Sequence, residues 1–217
     1  MSKSWDIPIV HQEANWLVID KPAGLSVHNA EDPDNVLSVL SRHAPDKLYP
    51  VHRLDKPTSG LLVLAYQPAM VTELQRALQR ATKVYWAIVR GVPAPEEGSW
   101  RQTISDKAEG RNNPRGKKRV EAQTDYQVIS SNQHLAKIEC TIMTGRQHQI
   151  RKHCAINRHE ILGDTRYGDR RYQQKMTQRF GELSLCLQAK SLRITVHDKE
   201  MFFEVPPAQE WSRLGDL

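Results

Sequence analysis

A single carboxylate, Asp55, stands among basic residues in the segment PVHRLDKPTSGLLVLA. His52, Arg53 and Lys56 flank it, and an apolar, strand-like run from Leu61 to Ala65 follows. A carboxylate that nearby cations keep charged can act as a nucleophile or as a general base. An Asp before Lys-Pro-Thr-Ser-Gly can also form a turn through its own side chain, with its basic neighbours solvated. Asp55 is therefore either a chemical centre or a turn residue.

Basic residues also crowd the segment MTGRQHQIRKHCA, from Met143 to Ala155. On a helix, Gln147 and Arg151 would share one face as an i,i+4 pair. The histidines and the cysteine of this segment match no standard zinc spacing, and no acidic ligand lies close by, so we predict no metal site. The segment is either part of a substrate site or a solvated basic helix.

Strand-like runs outnumber helix-like runs along the chain, and several neighbouring runs have hairpin spacing. Alternating or apolar strand patterns cover residues 16–19, 61–65, 83–91, 122–129, 134–143, 190–196 and 201–205. Helical periodicity covers residues 35–44, 68–82 and 146–157. This order predicts an α+β fold with a largely antiparallel sheet. No G-x-G-x-x-G or P-loop motif follows a strand, so we predict no nucleotide cofactor.

The stretch from about residue 101 to 120 has a different character. Between Arg101 and Arg119 the charges sum to +5, and Asn112, Asn113, Pro114 and Gly116 interrupt any regular element. We predict a basic loop here, or the tip of a hairpin.

The composition favours an acidic partner, because the 217-residue chain has a formal net charge of +6. Nucleic acid and an anionic membrane surface are both acidic, and a merely basic protein is the alternative. We predict no membrane span and no signal peptide, since no apolar run is long enough. Three scattered cysteines without a Cys-x-x-Cys pair predict a cytoplasmic protein without disulfides.

Six segments, in order along the chain, resemble motifs of the RluA-type pseudouridine synthases. HRLDKPTSG is similar to the family's catalytic motif, DKPAGLSVH to its first motif and KVYWAIVRG to the segment of its active-site tyrosine. AQTDYQV resembles the central strand, TGRQHQIRKH the Thr-Gly-Arg motif and HEILGDTRYGD the Ile-x-Gly-Asp segment. The chain departs from the family at Glu160, which is usually Pro, and at Gln188, which is usually His. The YGDRRY segment is most similar to compact branches, including the one that acts on transfer RNA.

The resemblance implies an isomerase that converts uridine in RNA to pseudouridine without a cofactor. It implies the pseudouridine synthase fold, a mixed and mostly antiparallel bent sheet flanked by helices and loops, with an active-site cleft across the middle. We expect one catalytic domain over residues 1–217, without the S4 RNA-binding domain of some members. We further expect a cytoplasmic monomer whose substrate is ribosomal or transfer RNA.

Three residues match the family's catalytic positions. Asp55 matches the catalytic carboxylate, which would act as a nucleophile at the sugar or as a base in a glycal route. Tyr85 matches the tyrosine that stacks on the target base, although it could be an ordinary strand residue. Arg151 matches the basic residue that pairs with the catalytic Asp.

Other residues match positions that contact the RNA. Ile150 matches an apolar residue near the base, and Arg53 matches the residue that displaces the target base from its stack. We expect His52 and Lys56 to bind phosphates. Further RNA contacts are expected first from Lys117, Lys118 and Arg119, and second from Arg166, Arg170 and Arg171, with solvated surface charges as the alternative.

Two other functions remain possible on these residues. A non-catalytic RNA-binding protein could use the same scaffold, although it would be expected to lack the catalytic Asp, Tyr or Arg. A hydrolase could use Asp55 on a nucleoside, but glycosidases usually need two carboxylates about 5–9.5 Å apart, and the motifs supply one.

Overall fold

The computed structural model describes residues 5–42, 47–105 and 119–215. In chain order, its elements are the strands β1 (Ile9–Gln12) and β2 (Trp16–Lys21), helix α1 (Val36–Ser41), strands β3 (Tyr49–Pro50) and β4 (Ser59–Ala65), helix α2 (Pro68–Arg80), strands β5 (Thr82–Arg90), β6 (Glu97–Trp100), β7 (Ile104–Ser105), β8 (Arg119–Val120), β9 (Thr124–Ser131) and β10 (Leu135–Ile142), helices α3 (Gln149–Ile156) and α4 (Arg170–Phe180), strands β11 (Leu187–Val196) and β12 (Lys199–Glu204), and a 3-10 helix (Gln209–Leu214).

These elements pack as two compact units. The first unit combines the residues up to Lys83 with Gln188–Pro206, and the second combines Val84–Leu187 with the residues from Pro207 onward. Strands β5 and β11 therefore each begin in one unit and end in the other. The expectation of a single catalytic domain stays a prediction.

The sheet of the first unit is built around β4. All seven residues of β4 are buried, which explains why its sequence is a continuous apolar run rather than an alternating one. β2 pairs with β4 in antiparallel register, and β11 pairs with it in parallel through Gln188 and Ala189. Gly60 has a φ of +104°, and a Cβ there would lie 2.3 Å from the carbonyl oxygen of Ala189. Only glycine therefore lets β11 approach β4 this closely.

The helices of the first unit begin at local sequence signals. Asn35 caps α1 by accepting from the N–H of Ser38, whose hydroxyl accepts in return from the N–H of Asn35. Pro68 occupies the first turn of α2, where its missing N–H costs no helical hydrogen bond. The buried residues of α2 recur every fourth position: Met70, Leu74 and Leu78.

The second unit contains strands β5, β10, β9 and β6 in that spatial order, together with the small antiparallel pair β7–β8. β10 and β6 both pair with β9 in antiparallel register. Helix α3 contributes Ile150 and Cys154 to the buried core of this unit. The predicted α+β fold with a largely antiparallel sheet is confirmed.

The sequence patterns missed β1, β3, β6, α4 and the 3-10 helix, whereas every predicted strand and helix is present. The hairpin interpretation of the basic stretch fits its described ends, because β7 pairs with β8. Residues 106–118, between these strands, lie outside the described residues. No helix in the described part of the chain is both long enough and apolar enough to cross a membrane.

Candidate active site

Asp55 lies in the first unit, in the segment between β3 and β4. The N–H of Thr58 donates to the carbonyl of Asp55 over 3.0 Å, which closes a tight turn before β4. The next carbonyl, that of Lys56, accepts from the N–H of Gly24 at 2.9 Å and from Nζ of Lys21 at 3.2 Å. The carbonyls of Asp55 and Lys56 therefore fix this segment, the first within its own turn and the second to the turn after β2.

Lys21, the last residue of β2, is completely buried. Its Nζ also donates to the carbonyls of Pro22 at 2.9 Å and Leu25 at 2.8 Å. Burial lowers the pKa of Lys21 to about 7, and the charges of Asp55 and Asp20 oppose this shift. Lys21 thus joins the first motif to the segment of Asp55. No role for Lys21 was predicted, because a lysine in a sequence is expected at the surface.

His52 contacts the neighbouring strand through its ring. Its Nε2 accepts the N–H of Val63, in β4, at 3.0 Å. Burial lowers the pKa of His52 to about 4, and the positive charge of Lys83 acts in the same direction. The ring is therefore neutral near pH 7 and links its segment to β4. Its expected role in binding the substrate stays a prediction.

Leu54 and Lys56, the chain neighbours of Asp55, line a polar cleft of about 390 Å³ within the first unit. Arg53 and Lys56 line it from one side, and residues 26–30 with Asp32 line it from the other. Nζ of Lys56 lies 2.7 Å from Oδ1 of Asp32, and this hydrogen bond is the main cause that lowers the pKa of Asp32. The Arg53 side chain is exposed, so it is available to a ligand in the cleft.

Helix α3 of the second unit positions Arg151. The helix begins after His148, which has left-handed φ and ψ angles. Oε1 of Gln149 accepts from the Thr144 hydroxyl at 2.7 Å, and its Nε2 donates to the carbonyl of Gln123 at 2.7 Å. These bonds hold the first turn of α3 and therefore fix the direction of Arg151.

Arg151 forms a buried, bidentate ion pair with Asp164. Nε donates to Oδ2 at 2.8 Å and Nη2 donates to Oδ1 at 2.9 Å, with 5% of the Arg151 side chain and 1% of the Asp164 side chain exposed. Asp164 Oδ1 also accepts the N–H groups of Arg166 at 2.9 Å and Tyr167 at 3.0 Å. Asp164 orients Arg151, a role that was not predicted from its sequence context. The segment HEILGDTRYGD contained the residue, but its sequence does not show that the carboxylate is buried.

Tyr85 and Ile150 also lie in the second unit. Tyr85 is half-buried on β5 and packs against the core of the unit. Its neighbour Trp86 donates from Nε1 to Oε2 of Glu139 at 3.0 Å, and successive strand residues point to opposite faces. Ile150 is a core residue with 4% exposure. The structure places Asp55 in the first unit and Tyr85, Ile150 and Arg151 in the second, and their expected contacts with the target base stay predictions.

The two residues after Arg151 anchor the base of the basic hairpin. Lys152 is completely buried, and its Nζ donates to the carbonyl of Ser105, the last residue of β7, at 2.8 Å. His153 Nε2 donates to the carbonyl of Gln102 at 3.0 Å, while Nδ1 accepts from the Thr124 hydroxyl at 2.7 Å. Burial lowers the pKa of His153, in keeping with this neutral form. Helix α3 therefore holds both Arg151 and the start of the hairpin.

The remaining RNA-contact predictions fall in several places. Lys117 and Lys118 lie outside the described residues, whereas Arg119 is exposed on β8. Arg166 is half-buried, and its Cζ lies 5.9 Å from the ring centre of Tyr167. Arg170 and Arg171 are exposed in the first turn of α4. Among the described residues, no three His, Cys, Asp or Glu side chains are grouped closely enough to hold a metal.

Both departures from the family motifs have local partners. Glu160 lies 3.8 Å from Nη1 of Arg90 and also accepts the Arg90 N–H through its carbonyl. Gln188 donates from Nε2 to the carbonyl of Pro206 at 2.9 Å. Each replacement also leaves one buried side-chain oxygen without a hydrogen-bond partner, Oε2 of Glu160 and Oε1 of Gln188.

Comparison with known proteins agrees with the motifs. A family model described as RNA pseudouridylate synthase matches residues 15–156. The tRNA pseudouridine synthase C of Vibrio parahaemolyticus is 30% identical over 96% of this chain and 94% of that protein. An uncharacterized RNA pseudouridine synthase of Chlorobaculum parvum is 38% identical over 75% of this chain and 56% of that protein.

Solved structures support the same assignment. Human RNA pseudouridylate synthase domain containing 4 matches with a TM-score of 0.77 and 27% identity, covering 95% of this chain and 92% of that one. The resemblance drawn from the six motifs is confirmed. The chain belongs to the RNA pseudouridylate synthase family and is an isomerase that converts uridine in RNA to pseudouridine.

Proposed function

We propose that the substrate of this enzyme is transfer RNA. The observation that carries the proposal is the similarity to tRNA pseudouridine synthase C, which extends over 96% of this chain and 94% of the relative. The basic net charge of +6 suits a phosphate-rich substrate. Three buried cysteines without disulfides fit a reducing compartment, and we place the enzyme in the cytoplasm as a monomer.

Asp55 is the proposed catalytic residue, with Tyr85 stacking on the target uracil and Arg151 as the basic partner. In the reaction, the bond between N1 and C1′ breaks, the uracil turns, and a new bond joins C5 to C1′. The proton on C5 is lost and N1 gains one, so neither oxidant nor reductant is needed. The carboxylate either attacks C1′ or removes a sugar proton, and both routes need it charged and fixed.

The hydrogen bonds around Asp55 support this role. The carbonyls of Asp55 and Lys56 are both bonded, and the charge of buried Lys21 interacts with the Asp55 carboxylate. A fixed backbone at Asp55 limits the positions open to its carboxylate, which favours catalysis. Arg53, exposed at the adjacent cleft, is placed to contact the RNA chain beside the target uridine.

The test follows release of tritium from C5 of uridine in RNA transcripts. We expect release from an unmodified transfer RNA and none from a ribosomal RNA fragment of similar length. Release from the ribosomal fragment alone would overturn the substrate proposal without affecting the reaction class. Free uracil in the products would indicate hydrolysis instead.

The same assay tests Asp55. Asp55→Asn should bind transfer RNA within a few-fold of the wild type and release no tritium. Asp198→Asn is the matched control, since Asp198 is an exposed residue of the β11–β12 turn, and it should keep full activity. An active Asp55→Asn variant would show that another residue performs the chemistry.

A further inference from the structure

Helix α4 presents four cations on its surface and contains no acidic residue. Arg170, Arg171, Lys175 and Arg179 are all exposed. Arg171, Lys175 and Arg179 are spaced four residues apart, so they form one row with about 6 Å between neighbours along the helix axis. This row is a continuous strip of positive charge on the second unit.

A neighbouring face of α4 fixes the helix to the core of the second unit. Tyr172, Met176 and Phe180 pack against that core. Gln173 accepts the N–H of Gly163 at 2.8 Å and donates to the carbonyl of Ile161 at 3.0 Å. The cations therefore stand on a rigid support.

The charges on α4 disfavour the helix when no ligand is bound. Arg170 and Arg171 occupy the first turn, where the helix dipole is positive. Like charges four residues apart also repel one another, and α4 has no acidic side chain to offset them. Asp169 caps the helix by accepting the N–H of Tyr172 and lies outside the row. An anionic partner would relieve this repulsion.

A groove of about 600 Å³ lies along α4, on the side of the helix that carries Arg170. The exposed side chains of Arg170, Gln174, Thr177 and Gln178 line it from the helix. Amide, hydroxyl and guanidinium groups suit sugars and phosphates, which present many acceptors. Asp164, which binds Arg151, is the acidic residue of the lining, and its charge is neutralised in that ion pair.

We propose that α4 and its groove bind the sugar-phosphate backbone of the RNA substrate. This surface lies within the same unit as Arg151 and reaches the residue that orients it. The proposal rests on the proposed function for its choice of transfer RNA. RNA is favoured over a protein partner because α4 carries a regular row of exposed cations and contains no acidic residue.

The test measures binding of an unmodified transfer RNA transcript at increasing salt. The α4 triple variant carries Arg171→Gln, Lys175→Gln and Arg179→Gln, which keep good helix formers in place. We expect its Kd to rise about 10- to 100-fold at roughly 0.1 M salt, and the slope of log affinity against log salt to fall by about 2.

Two further variants separate location from net charge. The first-unit variant removes an equal number of positive charges, three, from exposed positions of the first unit: Arg76→Gln, Arg80→Gln and Arg193→Gln. It should leave the salt slope unchanged. Arg171→Lys with Arg179→Lys keeps the charges and should bind like the wild type. The proposal would be overturned by an unchanged salt slope in the α4 triple variant, or by an equal loss of affinity for transfer RNA in the first-unit variant.

Tritium release from the wild type distinguishes this proposal from the substrate assignment. If the wild type is inactive on transfer RNA, but the α4 triple variant binds it more weakly and the first-unit variant does not, the RNA surface is supported and the substrate assignment is wrong. If the wild type is active on transfer RNA and the α4 triple variant binds it as tightly as the wild type does, the proposed RNA surface is wrong and the substrate assignment stands.

Discussion

Replacing Asp164 by Asn would test the buried pair that orients Arg151. The carboxylate of Asp164 accepts four hydrogen bonds, two from Arg151 and two from backbone N–H groups. Asn has nearly the same shape, but it is neutral and one of its two terminal atoms is a donor. In Asp164→Asn, a donor would face the Arg151 guanidinium, or else the backbone N–H groups would lose an acceptor.

The expected loss of stability is large because Arg151 would keep its charge without a counter-ion. Removing one partner of a buried ion pair costs about 3–5 kcal/mol. For a chain of this size, each kcal/mol lowers the midpoint of thermal unfolding by about 2–4 °C. We therefore expect Asp164→Asn to unfold roughly 6–20 °C below the wild type and to lose most of its turnover.

Urea unfolding measures this loss against a control. Glu200→Gln breaks the exposed pair between Arg193 and Glu200, which are 51% and 61% exposed, and should cost less than about 1 kcal/mol. The double variant Arg151→Met with Asp164→Asn should be more stable than Asp164→Asn alone, because it removes the unpaired charge. If Asp164→Asn were as stable as the control variant, the pair would not be what fixes Arg151.

Two further predictions concern the first unit. The folded state holds Lys21 with a pKa near 7, below its ordinary value of 10.5, so it binds fewer protons than the unfolded state between these pH values. The contribution of Lys21 to stability therefore rises with pH. The unfolding free energy of the wild type, relative to that of Lys21→Met, should increase by about 2 kcal/mol from pH 7 to pH 9. If urea unfolding gave the same difference between the two proteins at both pH values, Lys21 would not be a buried ammonium. Gly60→Ala should lower the unfolding free energy by roughly 2 kcal/mol or more, because its Cβ would clash with Ala189 and its φ is positive. The control Gly145→Ala, whose Cβ would have nothing within 4 Å, should unfold like the wild type. Equal unfolding of both variants would contradict the close approach of β11 to β4.

Sequence patterns predicted the elements with strong periodicity. The apolar run Leu61–Ala65 corresponds to β4 because every residue of that strand is buried, and the four-residue spacing on α2 corresponds to the spacing of its buried residues. Helix α4 was not predicted, although Asp169 precedes it and Gly181 follows it as cap residues. Nearly all of its surface is polar, and its apolar face consists of only three residues. Strand β6 is four residues long and contains Gly98, so it gives little strand signal.

The motifs predict Asp55 and Arg151 as site residues, and these roles stay predictions. The residues that position them were not predicted. Lys21 and Asp164 are charged, and a charged residue in a sequence is expected at the surface. Their burial depends on partners distant in the chain, such as the carbonyl of Lys56, 35 residues from Lys21.

The parallel pairing of β4 with β11 has a consequence for synthesis of the chain. Ser59 and Gln188, which pair in that register, lie roughly 130 residues apart. At about 5–20 residues per second, a ribosome needs roughly 6–26 s to make the intervening chain. β2 precedes β4, and α2 follows it directly, so both can cover β4 early. The edge at Gly60 stays without its partner strand for that interval, which is the period when a nascent chain is most exposed to mispairing.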